Sequence, residues 1–65
     1  MIRVNDKQAD HYFGMTVATL VRERGYEKAM VAVWIDDEIV RRDAYEVTPV
    51  QDGADVKIVL MAAGG

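Results

Sequence analysis

The chain has 65 residues, of which 51% are hydrophobic, and it contains no cysteine. A domain of this length buries only about 60% of the surface that its unfolded chain exposes, so it lies near the lower limit for folding alone. The lack of cysteine excludes disulfides, thiolate metal sites and cysteine nucleophiles, and the net charge of −3 argues against a nucleic-acid partner. With neither a signal peptide nor an apolar stretch of membrane-spanning length, we expect one soluble, cytoplasmic domain without a membrane partner.

The N-terminal residues predict a β-hairpin. Ile2 and Val4 share one face of a first strand over residues 1–4, and residues 5–7 have the composition of a turn. A second strand is expected over residues 8–13, with its side chains alternating between the two faces.

A helix is predicted over residues 17–24, since Val17, Leu20 and Val21 recur at the spacing of one helix face. Thr16 is a suitable N-cap, and Met15 before it can pack on Leu20 as a hydrophobic staple.

The C-terminal end of this helix is also specified. Gly25 suits the left-handed position just after the helix, which would let Tyr26 fold back on Val21 in a Schellman motif.

The remaining elements follow from β-branched alternation and turn residues. They are a strand over 31–35, a turn at 36–37, a return strand over 38–41, a helical turn over 42–46, a turn at 52–53 and a last strand over 54–61. This order predicts an α+β domain over residues 1–61, with a mixed sheet of four to five strands and one main helix packed across it.

The last four residues differ from everything before them. The final strand is apolar up to Met61, and then the chain narrows to Ala62, Ala63, Gly64 and Gly65. Four extended residues reach about 13 Å, and glycine can pass close walls and take any backbone conformation that a partner imposes. We expect residues 62–65 to form a flexible tail that enters a partner's active site.

The chemistry available to such a tail is that of its terminal carboxylate. A carboxyl group with a pKa of about 3.3–3.7 is ionised at neutral pH and is a poor electrophile, so it needs activation. ATP can supply this by forming an acyl-adenylate at Gly65, and a sulfur nucleophile can then leave a thiocarboxylate. The chain itself would contribute no catalytic residue and would not be an enzyme.

Trp34 is the second feature of interest. Within the strand at 31–35 it lies on the face opposite the three β-branched residues, which form the better core. Trp34 would then join Val59 and Met61 in an apolar patch at the root of the tail, where a partner enzyme could bind. The alternative is that Trp34 is a core or edge residue.

Other conspicuous residues predict no site. His11 is the single histidine and has no cluster of Cys, His or carboxylate ligands around it, so we expect no metal site. No Ser-His-Asp arrangement, Walker loop or dinucleotide fingerprint occurs in the chain.

A resemblance to a known family rests on five stretches spread over the chain. They are Ile2-Arg3-Val4-Asn5-Asp6, Thr16-Val17-Ala18-Thr19-Leu20, Asp37-Glu38-Ile39-Val40-Arg41-Arg42, Gln51-Asp52-Gly53-Ala54-Asp55-Val56 and Ala63-Gly64-Gly65. In their order and spacing the chain resembles the ThiS family, the sulfur carriers of thiamine biosynthesis within the ubiquitin-like ThiS/MoaD superfamily.

The resemblance implies a β-grasp fold in which the last strand runs parallel to the first. It also implies that an adenylating enzyme related to ubiquitin-activating enzymes uses ATP and magnesium to adenylate Gly65. An enzyme-bound persulfide then supplies sulfur, and thiazole synthase consumes the resulting thiocarboxylate. The chain would bind no cofactor itself.

Three other functions remain open from the sequence. The same chemistry serves the small subunit of molybdopterin synthase, although those carriers are usually longer. A ubiquitin-like protein modifier would use the same tail with an amine as nucleophile. A non-covalent β-grasp binding module would have incidental glycines at its end.

Overall fold

The fold is a five-stranded mixed sheet with one α-helix on one face, seen in a computed structural model that describes residues 1–27 and 30–61. The elements are β1 (Ile2–Val4), β2 (Lys7–Ala9), α1 (Val17–Glu23), β3 (Val31–Ile35), β4 (Glu38–Val40), a 3₁₀ turn (Arg42–Ala44) and β5 (Asp55–Leu60). The strand order is β2-β1-β5-β3-β4. β1 and β5 are parallel and the other neighbours are antiparallel, so the predicted β-grasp arrangement is confirmed.

The first hairpin differs from its prediction at the second strand. Asn5 and Asp6 both have positive φ, 52° and 70°, which is the pattern of a two-residue type I′ turn. This turn places Lys7 directly opposite Val4, one residue earlier than the predicted start at residue 8.

The second strand also ends early, at Ala9 rather than residue 13. Its partner β1 is only three residues long, and Ala9 pairs with Ile2, the first residue of β1. Beyond Ala9 no strand remains to accept the hydrogen bonds of a longer β2, so the prediction of a strand over residues 8–13 was wrong.

The N-terminus of α1 is closed by a reciprocal pair of threonines. Thr16 is the N-cap, as predicted, and its Oγ1 accepts a hydrogen bond from the Thr19 amide at 3.2 Å. Thr19 Oγ1 in turn accepts from the Thr16 amide at 2.9 Å. This is a capping box with threonine in the position usually held by glutamate or glutamine.

The C-terminus of α1 has the predicted Schellman motif. Gly25 takes a φ of 80°, its amide donates to the Arg22 carbonyl, and the Tyr26 amide donates to the Val21 carbonyl, both at 3.0 Å. The helix therefore ends one residue before its predicted last residue, with Arg24 as the C-cap.

The later elements keep the predicted order with shorter bounds. β3 has its predicted limits, whereas β4 stops at Val40 and β5 runs from Asp55 to Leu60. The 36–37 turn forms without glycine, because Asp36 and Asp37 both adopt positive φ. The predicted helical turn at 42–46 is the short 3₁₀ turn.

The core lies between α1 and the helix-facing side of the sheet. Strand residues alternate in and out, so each strand contributes every second side chain to it. The buried apolar residues are Ile2, Val4, Met15, Val17, Leu20, Val21, Val33, Val50, Ala54, Val56 and Ile58.

Candidate functional site

The central strand β5 carries the chain toward the predicted carrier residues. It lies between β1 and β3, and the Met61 amide just after it donates to the Met30 carbonyl at 2.8 Å. Ala62, Ala63, Gly64 and Gly65, the predicted tail, lie outside the described residues. The described part of the site is therefore the surface around the end of β5.

β3 turns its two sets of side chains to opposite faces of the sheet, as its alternation predicted. Val33 is fully buried, and Val31 and Ile35 pack against the core on the helix side. Trp34 consequently lies on the other face, which α1 does not cover, and its side chain is half-buried there.

Strand pairing sets which residues adjoin Trp34 on this open face. Trp34 lies opposite Ile39 of β4 and opposite Lys57 of β5. The next pair along β3 and β5 on the same face is Ala32 with Val59. Directly opposed residues have Cβ atoms about 4.5–5.5 Å apart, so these side chains form neighbouring rows.

One more row lies at the end of the sheet. The pairing of Val31 with Leu60 places Met30 opposite Met61, in agreement with the hydrogen bond between their backbones. We call the whole apolar band the open-face stripe. It consists of Met30, Ala32, Trp34, Ile39, Val59 and Met61.

The open-face stripe exposes much of its apolar surface. Ile39 is 63% exposed, and Val59 and Met61 are each 49% exposed. Trp34 and Val59 line a shallow depression whose other walls are Lys57 and Asp37. A contiguous apolar surface with a charged margin is typical of a protein–protein interaction site.

The structure brings together Trp34, Val59 and Met61, the three residues proposed from the sequence as a patch, in this one band. Sequence reasoning missed Met30 and Ile39. The two-residue turn at 36–37 fixes the register of its hairpin and could have placed Ile39 opposite Trp34. Met30 had no such signal, because its neighbour comes from β5, which is distant in sequence.

The single histidine, His11, makes a structural contact between two segments of the chain. His11 Nε2 lies 2.7 Å from the Val50 carbonyl oxygen, and this contact joins the segment after β2 to the segment before β5. Among residues 1–27 and 30–61, no three histidine or carboxylate side chains are placed to hold a metal ion. The helices of this described part are too short or too polar to cross a membrane.

Two perturbed titrating groups lie away from the open-face stripe. A hydrogen bond from the Met1 ammonium group, together with its charge, lowers the pKa of Asp52. Burial raises the pKa of Tyr45, with an opposing effect from Arg42, and its hydroxyl donates to the Val31 carbonyl on the helix side of the sheet. Neither group gives the stripe an acid or a base.

A parallel central β1–β5 pair, one crossing helix and an apolar band beside the end of β5 define a ubiquitin-like β-grasp protein. The ThiS family model matches residues 2–65, nearly the whole chain. The chain belongs to the ThiS family.

Two solved structures are similar along almost the whole chain. The crystal structure of the thiamine biosynthesis protein ThiS from Geobacter metallireducens has a TM-score of 0.79 at 28% identity, covering 98% of this chain and 97% of that one. The NMR solution structure of a thiamine biosynthesis protein from Geobacter metallireducens has a TM-score of 0.78 at 27% identity, covering 98% and 86%. A search of curated proteins found no significant match.

Proposed function

We propose that this protein is a sulfur carrier for thiamine biosynthesis, and that its Gly65 carboxylate is the group that carries the sulfur. An adenylating enzyme uses ATP and magnesium to form an acyl-adenylate at Gly65. The terminal sulfur of an enzyme-bound persulfide displaces AMP and forms an acyl disulfide with the Gly65 carbonyl. A thiol then attacks the S–S bond, so that the thiocarboxylate is released and a disulfide is left on the donor side. Thiazole synthase takes the thiocarboxylate sulfur into the thiazole ring. The chain acts as a carrier that partner enzymes modify.

The observation that carries this proposal is the ThiS family match over residues 2–65, because that range includes Gly64 and Gly65. The similar Geobacter metallireducens structures, which are thiamine biosynthesis proteins, support the thiamine pathway over the other carrier functions. The position of β5 supports it further, since this strand is held on both sides and leads directly toward residues 62–65.

The open-face stripe is the proposed docking surface for the adenylating enzyme. It ends at Met61, four residues before Gly65. Four extended residues span about 13 Å. The active site of an enzyme bound to the stripe should therefore lie within this distance of Met61. Interface energy concentrates in aromatic and large apolar anchors, and Trp34 is the largest side chain of the stripe.

The proposal is tested by reconstitution with an adenylating enzyme, ATP, magnesium and a persulfide donor. ATP–pyrophosphate exchange that depends on this chain measures the adenylation step alone. Deletion of Gly65 should abolish the exchange while the far-ultraviolet circular dichroism spectrum and the Tm stay unchanged. The matched control is Lys7→Ala, which alters an exposed β2 residue and should leave the exchange intact. Exchange by the Gly65 deletion at the wild-type rate would refute the site assignment.

A second measurement decides the pathway. The thiocarboxylate form should donate sulfur to thiazole synthase, and it should fail to support the large subunit of molybdopterin synthase. Sulfur transfer only to the large subunit of molybdopterin synthase would support the proposed carrier chemistry but would reject the assignment to thiamine biosynthesis.

A further inference from the structure

Two of the four methionines of the chain lie side by side where the open-face stripe meets the tail. The Met61 amide donates to the Met30 carbonyl at 2.8 Å, and the register of β3 and β5 directs both side chains to the open face. Met30 is 56% exposed and Met61 is 49% exposed. Both thioethers are therefore accessible to small solutes in the unbound protein.

We infer that Met30 and Met61 form an oxidation site that controls docking of this carrier. Hydrogen peroxide, or another two-electron peroxide oxidant, converts each thioether to a sulfoxide. The sulfur lone pair attacks one peroxide oxygen, an S–O bond forms and the O–O bond breaks. The leaving oxygen takes the proton of the transferred oxygen and departs as water, or as an alcohol when the oxidant is an organic hydroperoxide. Sulfur is oxidised by two electrons and the peroxide is reduced. Reduction of the sulfoxide by a methionine sulfoxide reductase restores the thioether.

The effect on docking follows from the change in polarity. A sulfoxide is polar and chiral, whereas a thioether is apolar and adaptable. Two sulfoxides would place strong hydrogen-bond acceptors at the end of the open-face stripe next to the tail. A partner that covers this end with apolar side chains would then have to bury those acceptors unpaired, which is unfavourable. The fold should be unaffected, because neither methionine belongs to the buried core.

The other two methionines provide internal comparisons. Met15 is 2% exposed in the core and should resist oxidation. Met1 is 55% exposed but lies at the opposite end of the sheet, where the Gly53 amide donates to its carbonyl. Its oxidation should not affect docking.

The inference rests on the proposed carrier function, and the experiment separates the two. The full chain is treated with hydrogen peroxide, and fragment mass spectrometry measures oxidation at each methionine. Binding to the adenylating enzyme is then measured for the reduced, oxidised and reductase-treated forms. We expect Met1, Met30 and Met61 to oxidise before Met15. We also expect binding at least about tenfold weaker after oxidation and full recovery after reductase treatment.

The control variant replaces both stripe methionines by leucine, M30L/M61L, which keeps the apolar surface and leaves Met1 oxidisable. This variant should bind equally well before and after peroxide. Equal weakening of the variant and the wild type would overturn the inference, as would unchanged binding of wild type that carries sulfoxide at both sites.

A dye-binding measurement tests the oxidation site without any partner enzyme, and so remains usable if the proposed carrier function is wrong. Trp34 is the only tryptophan and lies on the open-face stripe, so its fluorescence and its energy transfer to anilinonaphthalene sulfonate report dye binding there. Oxidation should weaken dye binding to wild type and not to M30L/M61L. Failure of the reduced chain to undergo adenylation would reject the proposed function, whereas unchanged dye binding after oxidation would reject the oxidation site.

Discussion

Trp34 is a large aromatic side chain on the face of the sheet that α1 does not cover. It lies between Ile39 and Lys57 across three strands, and its side chain is half-buried. Its contribution to folding is that of a cross-strand pair, about 0.2–1 kcal/mol. Its contribution to a covered interface would be larger, because aromatic anchors carry much of the binding energy.

Trp34→Ala should therefore weaken binding to the adenylating enzyme by about tenfold or more. The free energy of unfolding should fall by no more than about 1 kcal/mol, which corresponds to about 4–8 °C in Tm for a domain of this size. Isothermal titration calorimetry and thermal denaturation measure the two quantities.

The matched control is Val47→Ala, since Val47 is also an exposed apolar residue. It belongs to the loop on the helix side, where the neighbouring Thr48 carbonyl accepts from the Val17 amide. This variant should change neither binding nor Tm appreciably. Wild-type affinity of Trp34→Ala would remove Trp34 from the docking surface.

At the scale of elements, the hairpin of β3 and β4 contains two non-glycine residues in left-handed conformation, Asp36 with φ 49° and Asp37 with φ 71°. Their side chains differ in function. Asp36 Oδ1 accepts a hydrogen bond from the Asp55 amide at 3.0 Å and so ties the turn to the start of β5, whereas Asp37 lies at the edge of the open face.

Glycine substitution should have opposite effects at the two positions. Asp37→Gly relieves left-handed strain of about 1 kcal/mol and loses about half of that to chain entropy, so stability should rise by about 0.5 kcal/mol. Asp36→Gly gains the same stability from relief of strain but also loses a hydrogen bond worth about 1 kcal/mol. The free energy of unfolding of this variant should therefore fall. Urea denaturation measures both, and a stabilising Asp36→Gly would mean that the hydrogen bond to Asp55 contributes less than about 0.5 kcal/mol.

The start of α1 depends on the capping box of Thr16 and Thr19. Thr16→Ala leaves the Thr19 amide without its acceptor and should lower the free energy of unfolding by about 1 kcal/mol. Thr16→Ser retains the hydroxyl and should remain close to wild type. Thermal denaturation distinguishes them, and equal Tm values for the alanine and serine variants would contradict the capping function.

At the scale of the whole molecule, local signals predicted most features whose physical cause is local, although the two-residue turn at Asn5 and Asp6 was predicted one residue too long. Alternation in β3 correctly placed Trp34 on the face of the sheet that points away from the core-facing valines. Gly25 correctly identified the end of α1. The length of β2 failed because it depends on β1, whose three residues limit the pairing. The Met30–Met61 pair was inaccessible for a similar reason, since it joins strands distant in sequence.

The parallel pairing of β1 with β5 came from family resemblance, since no local pattern distinguishes a parallel from an antiparallel neighbour. Asn5 shows how the pair is held at its end. Its side-chain amide accepts from the Ile58 amide at 2.8 Å and donates to the Ile58 carbonyl at 3.1 Å. This side chain continues the ladder where β1 has ended, and thereby supports the strand β5 that leads toward residues 62–65.

The central claim is that Gly65 carries sulfur, and the most direct test is the mass of the chain after incubation with adenylating enzyme, ATP, magnesium, persulfide donor and a thiol reductant. Exchange of one oxygen for sulfur changes the mass almost as much as oxidation of one methionine does. Alkylation with iodoacetamide, which labels a thiocarboxylate and not a sulfoxide, followed by fragmentation therefore identifies the product. The account predicts one alkyl group located at Gly65, dependent on ATP; a mass change that fragmentation assigns to methionine, or no change at all, would contradict it.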